Sequence, residues 1–232
     1  MDRVKTGIPG LDEMTEGGIK RNTNVLVSGG CGSGKSTFCM QYLYYGAQNN
    51  EPGVYITFEE YPEAIKDNMM RYGWDLDGLE KKGMMRIVRI DPNEVMHVIK
   101  ENYGIIVDSI KDINAKRVVL DSLSSIETMI ETDYDRRRTI LDILSWLRGN
   151  NCTSMLIGEA EQDPNQYSRH GVMEFSVDAV IVMYNIRRES ARHRAIEILK
   201  MRGTNHMNKI VPFMMGPGGI ELLPKQKLFG VV

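Results

Sequence analysis

Short, uninterrupted apolar runs recur along the chain at 25–27, 54–58, 85–90, 118–120, 154–157 and 179–183. Runs of this length with no polar alternate position read as strands buried on both faces. Between the earlier runs lie segments with apolar residues at helical spacing, 37–47, 61–70, 92–113 and 138–148. Strands alternating with amphipathic helices build βαβ units, so a parallel sheet covered on both faces is expected. The last third changes character. Segments 179–186 and 194–201 flank an arginine-rich stretch, 187–193, and read as a hairpin. A second pair, 210–214 and 219–223, is joined by Gly216-Pro217-Gly218-Gly219, a turn sequence. The expected fold class is α/β: a mostly parallel central sheet flanked by helices, extended by C-terminal antiparallel strands, in one domain over residues 1–232.

The junction between the first strand and the first helix carries the strongest chemistry. Residues 29–37 read GGCGSGKST and fit G-x-x-x-x-G-K-[ST], the phosphate-binding loop. Gly29, Gly30, Gly32 and Gly34 let the backbone curl so that its amides, with those of Cys31 and Ser33, point inward at an anion. Lys35 is expected to reach the β- and γ-phosphates of a nucleoside triphosphate, Ser36 to bind Mg²⁺, and Thr37 to lie beside the α-phosphate. The helix that follows turns its positive end to the phosphates.

Three further segments belong with that loop. The strand 117–121 ends in Asp121, about 85 residues after the loop, in the pattern of a Mg²⁺-binding carboxylate. The bland alternative is a helix cap. The strand 54–58 ends in Glu59 and Glu60, at the sheet edge where α/β folds bind ligands. Glu59 is the candidate base that orients water on a γ-phosphate, with Glu60 sharing the task or raising its neighbour's pKa. The alternative is that the pair caps the helix opening near Tyr61-Pro62. Lys200 and Arg202, one residue apart on an extended strand, point the same way. They could reach phosphate in their own chain or across a subunit boundary, or end a strand in solvent.

Composition narrows the setting. A net charge of −2 argues against nonspecific attraction to nucleic acid by the whole molecule. Three cysteines without metal-ligand spacing suit free thiols in a reducing, cytoplasmic compartment. Cys31 lies inside the loop, where its thiol either invites alkylation or fills an unconstrained position. No apolar run nears the ~20 residues that span a membrane. Arg187, Arg188, Arg192 and Arg194 flank the hairpin turn as solvated charges, or form a rim or docking point for an acidic partner.

Taken together these segments resemble the KaiC-like branch of the RecA superfamily. The leader from Val4 through Thr6-Gly7-Ile8-Pro9-Gly10-Leu11-Asp12 to Gly17-Gly18-Ile19 is similar to that branch's T-G-I-x-G-x-D-x-x-x-x-G-G-[IL]. The phosphate loop, Thr57-Phe58-Glu59-Glu60, Leu120-Asp121-Ser122 and Lys200-Met201-Arg202-Gly203-Thr204-Asn205-His206 follow in family order over nearly the whole chain. The resemblance implies a RecA-like P-loop NTPase core and a ring, often a hexamer, with ATP and Mg²⁺ at subunit interfaces. It implies that Glu59 and Glu60 match the catalytic glutamate pair. It implies that Lys200 and Arg202 act in trans on the neighbour's γ-phosphate, with Thr204 and His206 holding nucleotide or interface. The family's clock protein has two such domains in one chain; this chain has one. Glu174 and Phe175 stand near the positions where its second domain carries phosphorylated hydroxyls, so no such autophosphorylation is expected there, with Ser176 the residual hydroxyl.

The expected function is an ATPase that switches conformation and regulates a partner protein. Its rivals are a non-hydrolysing ATP sensor, like the archaellum-motor ATPase, and a recombinase-like DNA-binding protein. Arg136-Arg137-Arg138 and the segment 162–171, with Tyr167 and Arg169, are the candidate channel loops for single-stranded DNA. Glu127, Glu131, Asp133 and Asp135 offset the arginines, and the alternative for the triplet is a helix start making salt bridges. The extra N-terminal DNA-binding domain and polymerisation linker of RadA-like recombinases have no counterpart in the leader.

Overall fold

The computed structural model describes residues 2–101, 104–160 and 167–226. The leader forms β1 (Arg3–Val4), α1 (Leu11–Met14) and β2 (Ile19–Lys20), the two strands pairing antiparallel beside the main sheet. Then come β3 (Asn24–Gly29), α2 (Lys35–Gln48), β4 (Gly53–Thr57), α3 (Pro62–Met70), α4 (Leu76–Lys81) and β5 (Met85–Arg89). The middle holds α5 (Pro92–Glu101), α6 (Ile105–Asp112), β6 (Arg117–Asp121), α7 (Leu123–Glu127), α8 (Asp133–Gly149) and β7 (Thr153–Glu159). The chain continues through α9 (Met173–Ser176), β8 (Ala179–Arg188), β9 (Ala191–Met201), β10 (Val211–Gly216) and β11 (Gly219–Leu222).

One sheet of nine strands runs β11-β10-β9-β8-β3-β7-β6-β4-β5. From β8 to β5 neighbours are parallel, and β9, β10 and β11 add antiparallel. Each of the six apolar runs lies on one of these parallel strands, and β3 and β4 are buried at every position. Helices cover both faces because a strand buried on both sides needs two apolar layers. One layer gathers α2, the leader and the C-terminal strands around Leu11, Phe38, Tyr42, Trp74 and Phe213. The other packs α5 to α8 through Val95, Ile106, Ile126, Ile140 and Leu147.

Several expectations are corrected. The single helix expected over 92–113 is two, with Gly104 at φ +114° ahead of α6, a conformation that side chains other than glycine rarely adopt. The helix expected from 138 starts at Asp133, because the Thr132 side chain accepts the Asp135 amide as its cap. The Arg136–Arg138 triplet therefore lies in the first turns of a helix, as its salt-bridged helix-start alternative has it, and not in a channel loop. Arg136 is buried, pairs with Asp133 and donates to the carbonyls of Glu127 and Ile130. Of the second expected channel loop, residues 162–166 lie outside the described residues; Tyr167 is half-buried against the core. The hairpin strands run longer than expected, leaving only Glu189 and Ser190 at the turn.

Candidate functional site

The phosphate loop leaves β3 at the edge where β4, β6 and β7 also end, so four strands deliver residues to one place. Within the loop, Gly34 stands at φ +98° as the residue before α2, and Gly32 at φ +72°. A Cβ on Gly29 would fall 2.2 Å from the Met183 carbonyl oxygen, so the loop fits only without one. Lys35 Nζ donates to the carbonyls of Gly29 (2.8 Å) and Gly30 (3.1 Å), which curls the side chain back over the loop. Burial lowers its pKa, opposed by the charges of Glu159 and Asp121.

Asp121 ends β6 opposite the first turn of α2. Ser36 Oγ donates to Asp121 Oδ2 at 2.8 Å, and the Tyr55 hydroxyl from β4 donates to the same oxygen. Burial raises the Asp121 carboxyl above its ordinary range, while Tyr55, Ser36 and Lys35 pull it down. The carboxylate therefore does not cap α7, whose Ser122 N-cap makes no side-chain cap bond either. Glu59 and Glu60 do not cap α3: its N-cap is Tyr61, with no side-chain bond, followed by Pro62. Glu59 Oε1 accepts from Ser125 Oγ at 2.7 Å. The Glu60 amide donates to Thr57 Oγ1 at 3.1 Å, which turns the chain at the end of β4. Burial, then the charges of Asp121 and Glu59, raise the Glu60 pKa.

These groups line a cavity of about 530 Å³ that includes Cys31, Lys35, Ser36, Glu59, Glu60, Asp121 and Glu159. Lys35 is its sole cationic lining residue among the described residues, against four carboxylates. A polyphosphate alone would meet repulsion there, so the donor set calls for a cation with it. Hydroxyl and carboxylate oxygens suit Mg²⁺, which keeps most of its shell for water and phosphate. Ser36 and Asp121 fit that group. A second cavity of about 240 Å³ adjoins it beyond Ser36 and Thr37, lined by Ile65, Asn68, Arg71 and Tyr72.

Sequence reasoning missed Tyr55, Ser125 and Glu159. Tyr55 lies in an apolar strand and looks like core. Its hydroxyl meets Asp121 only because β4 and β6 are sheet neighbours.

The structure does not bring Lys200 and Arg202 to this cavity. Lys200 faces Val180 near the start of β8, about four strand positions, ~13 Å, below the level of the loop. Its Nζ donates to the Glu174 carbonyl (2.9 Å), and Arg202 Nη2 lies 3.4 Å from the Phe175 carbonyl. Burial and the Arg202 charge lower the Lys200 pKa. Thr204 Oγ1 accepts from Arg3 of the leader at 3.1 Å, and half-buried His206 lies nearby in sequence. All four stand at the far end of the sheet.

A glycine-rich loop between strand and helix, with a carboxylate on a neighbouring strand end, defines a P-loop nucleotide-binding fold. The family model described as "ATPase: KaiC" matches residues 4–227. The chain belongs to the KaiC ATPase family. It is 36% identical to a UPF0273 protein of Pyrococcus furiosus, over 97% of this chain and 96% of that one. It is 35% identical to the circadian clock oscillator protein KaiC of Prochlorococcus marinus, over 95% of this chain but only 45% of the clock protein. The chain thus spans about half the length of KaiC. The crystal structure of a KaiC-like protein from Pyrococcus horikoshii superposes with a TM-score of 0.85 at 38% identity, covering 96% of this chain and 99% of that one. Among the described residues no helix is long and apolar enough to cross a membrane.

Proposed function

We propose that this chain is a Mg²⁺-dependent, cytoplasmic ATPase that works as a ring of six copies, by analogy with its family, and uses hydrolysis to regulate a protein partner. The observation that carries this reading is the convergence of Lys35, Ser36, Asp121, Glu59 and Glu60 on one cavity. Loop amides and Lys35 would hold the β- and γ-phosphates, Thr37 the α-phosphate side, and Ser36 with Asp121 the metal. Mg²⁺ when bound would offset charge on the phosphates. Glu59 would orient a water on the γ-phosphorus and accept its proton as the new P–O bond forms. The bond from the γ-phosphorus to the bridging oxygen breaks, and that oxygen leaves with ADP. Glu60, beside Glu59, would share its task or raise its neighbour's pKa through like-charge repulsion. The second cavity, beside Thr37, offers space for the nucleoside.

Lys200 and Arg202 lie too far from their own loop to serve it, which supports action on a neighbouring copy's γ-phosphate, with Thr204 and His206 at the same contact. No autokinase activity is part of this reading, since Glu174 and Phe175 carry no hydroxyl. Steady-state ATP hydrolysis by purified protein with Mg²⁺ tests it. Glu59→Gln is expected to lower turnover at least ~100-fold, the usual weight of a general base. Single-stranded DNA is expected to leave the rate unchanged. ATP binding without turnover in the parent would make the protein a nucleotide sensor, and strong stimulation by DNA would make it a recombinase relative.

A further inference from the structure

The β8–β9 hairpin leans on the phosphate loop from outside. Register pairs Asn185 with Arg194 and Arg187 with Arg192, so these four side chains share one face. The next pair inward on that face, Met183 and Ile196, packs in the core layer around α2. The face is therefore turned to the side where the loop runs into α2. There Asn185 Nδ2 donates to the Cys31 carbonyl (3.3 Å) and Arg194 Nε to the Gly32 carbonyl (3.4 Å). Arg192 Nη1 in turn donates to the Asn185 carbonyl at 3.1 Å. A Cβ on Gly32 would come within 3.1 Å of Asn185 Nδ2, so hairpin and loop are in direct contact.

Four successive loop carbonyls thus accept a donor. Gly29 and Gly30 are held by Lys35 and Ser33 of the loop and α2, with the Ala160 amide also on Gly29, whereas Cys31 and Gly32 are held by the hairpin. In a planar trans peptide the C=O and the following N–H point in opposite directions. Holding the Cys31 carbonyl on the hairpin side turns the Gly32 amide away from the hairpin. Holding the Gly32 carbonyl fixes the next peptide as well, whose Ser33 amide closes a turn on the Gly30 carbonyl at 3.3 Å and so braces the loop instead of facing the anion. A loop whose amides already face inward spends less of its binding free energy on ordering.

We propose that Asn185 and Arg194 are positioning residues: the hairpin clamps the tip of the phosphate loop and pre-orients its amides for the anion. The last step rests on the nucleotide-binding reading above, but the clamp itself can be measured without nucleotide. Cys31 is exposed, whereas Cys39 and Cys152 are buried, so a thiol reagent reports on the loop tip alone.

Alkylation of Cys31 by iodoacetamide in the nucleotide-free protein is followed by mass spectrometry. Asn185→Ala and the similarly sized Asn185→Leu are expected to raise its rate about 3- to 10-fold, the weight of one lost hydrogen bond. Arg194→Ala, which loses the bond to the Gly32 carbonyl, is expected to raise it too. Arg194→Lys, which keeps a donor, is expected to restore much of the parent rate. Arg187→Ala, on the same face but without a bond to the loop, is expected to change nothing. With a fluorescent ATP analogue, Kd should rise about 10-fold in the Asn185 variants while turnover at saturation holds within about twofold. Unchanged Cys31 rates in both Asn185 variants and in Arg194→Ala, with parental melting temperatures, would overturn the clamp. Raised rates together with no nucleotide binding by the parent would leave the clamp standing and sink the nucleotide reading instead.

Discussion

Glu127 has 0% exposure, and both its carboxylate oxygens lack a hydrogen-bond partner among the described residues. Burial pushes its pKa up from 4.5 to about 7; Arg136 opposes that and Glu174 adds to it. The sign of the effect on stability follows. Below about pH 4.5 folded and unfolded chains both hold the proton. As pH rises toward 7 the unfolded chain releases it while the folded chain keeps it, so stability falls across that window. Glu127→Gln removes the titration. It is expected to exceed the parent at pH 8 by on the order of 1–3 kcal/mol and to match it near pH 4, as read by urea unfolding. The acidic residues around Arg136–Arg138 were legible in sequence as a charge balance. That one acid is buried and unpaired depends on α7 folding directly behind β6.

At the scale of elements, α2 joins the loop to the core. Arg117, 1% exposed at the start of β6, donates to Glu51 (2.5 Å) and to the Tyr42 carbonyl (2.7 Å), with its guanidinium 4.4 Å from the Tyr42 ring centre. Gly46 in α2 leaves room for it: a Cβ there would sit 2.4 Å from Arg117 Cδ and Nε. Gly46→Ala is expected to destabilise by about 2–4 kcal/mol in chemical denaturation, through overpacking and a displaced buried ion pair. Gly149→Ala at the end of α8, where a Cβ meets nothing within 4 Å, is the matched control and is expected to stay within about 0.5 kcal/mol of the parent. Periodicity located α2 but could not expose this contact, because a glycine inside a helix reads only as a weak point. The start of α8 was legible and was missed: Thr132 and Asp135 have the spacing of an N-cap.

At the scale of the whole molecule, the charged pair at the end of β9 and the phosphate loop occupy opposite ends of one sheet. The proposed ring, if head-to-tail, would bring the far end of one copy to the near end of the next, the heterologous contact that closes by rotation. Mixed assemblies test this. Lys35→Ala subunits retain Lys200 and Arg202, while Arg202→Ala subunits retain the loop. Each alone is expected to be inactive, and mixtures with demonstrated subunit exchange are expected to recover part of the parent ATPase rate. No recovery would return Lys200 and Arg202 to an ordinary strand end. The same geometry predicts that ATP raises the apparent mass in sedimentation, because nucleotide would bridge two copies.

Sequence by itself determined the six parallel strands, the two C-terminal hairpins and the phosphate loop. Each rests on local rules: uninterrupted apolar runs for strands buried on both faces, turn residues for hairpins, and glycines at fixed spacing for a curled backbone. It also marked Asp121, Glu59 and Glu60 as carboxylates at strand ends, and the structure brings all three to one cavity with Lys35 and Ser36. Only the tertiary structure decided what surrounds them. Strand order set Tyr55 beside Asp121, the register of β8 with β9 carried Asn185 and Arg194 onto the loop, and the length of β9 took Lys200 and Arg202 out of its reach. Such contacts join residues far apart in the chain, and no local pattern of spacing or polarity carries the distance between them.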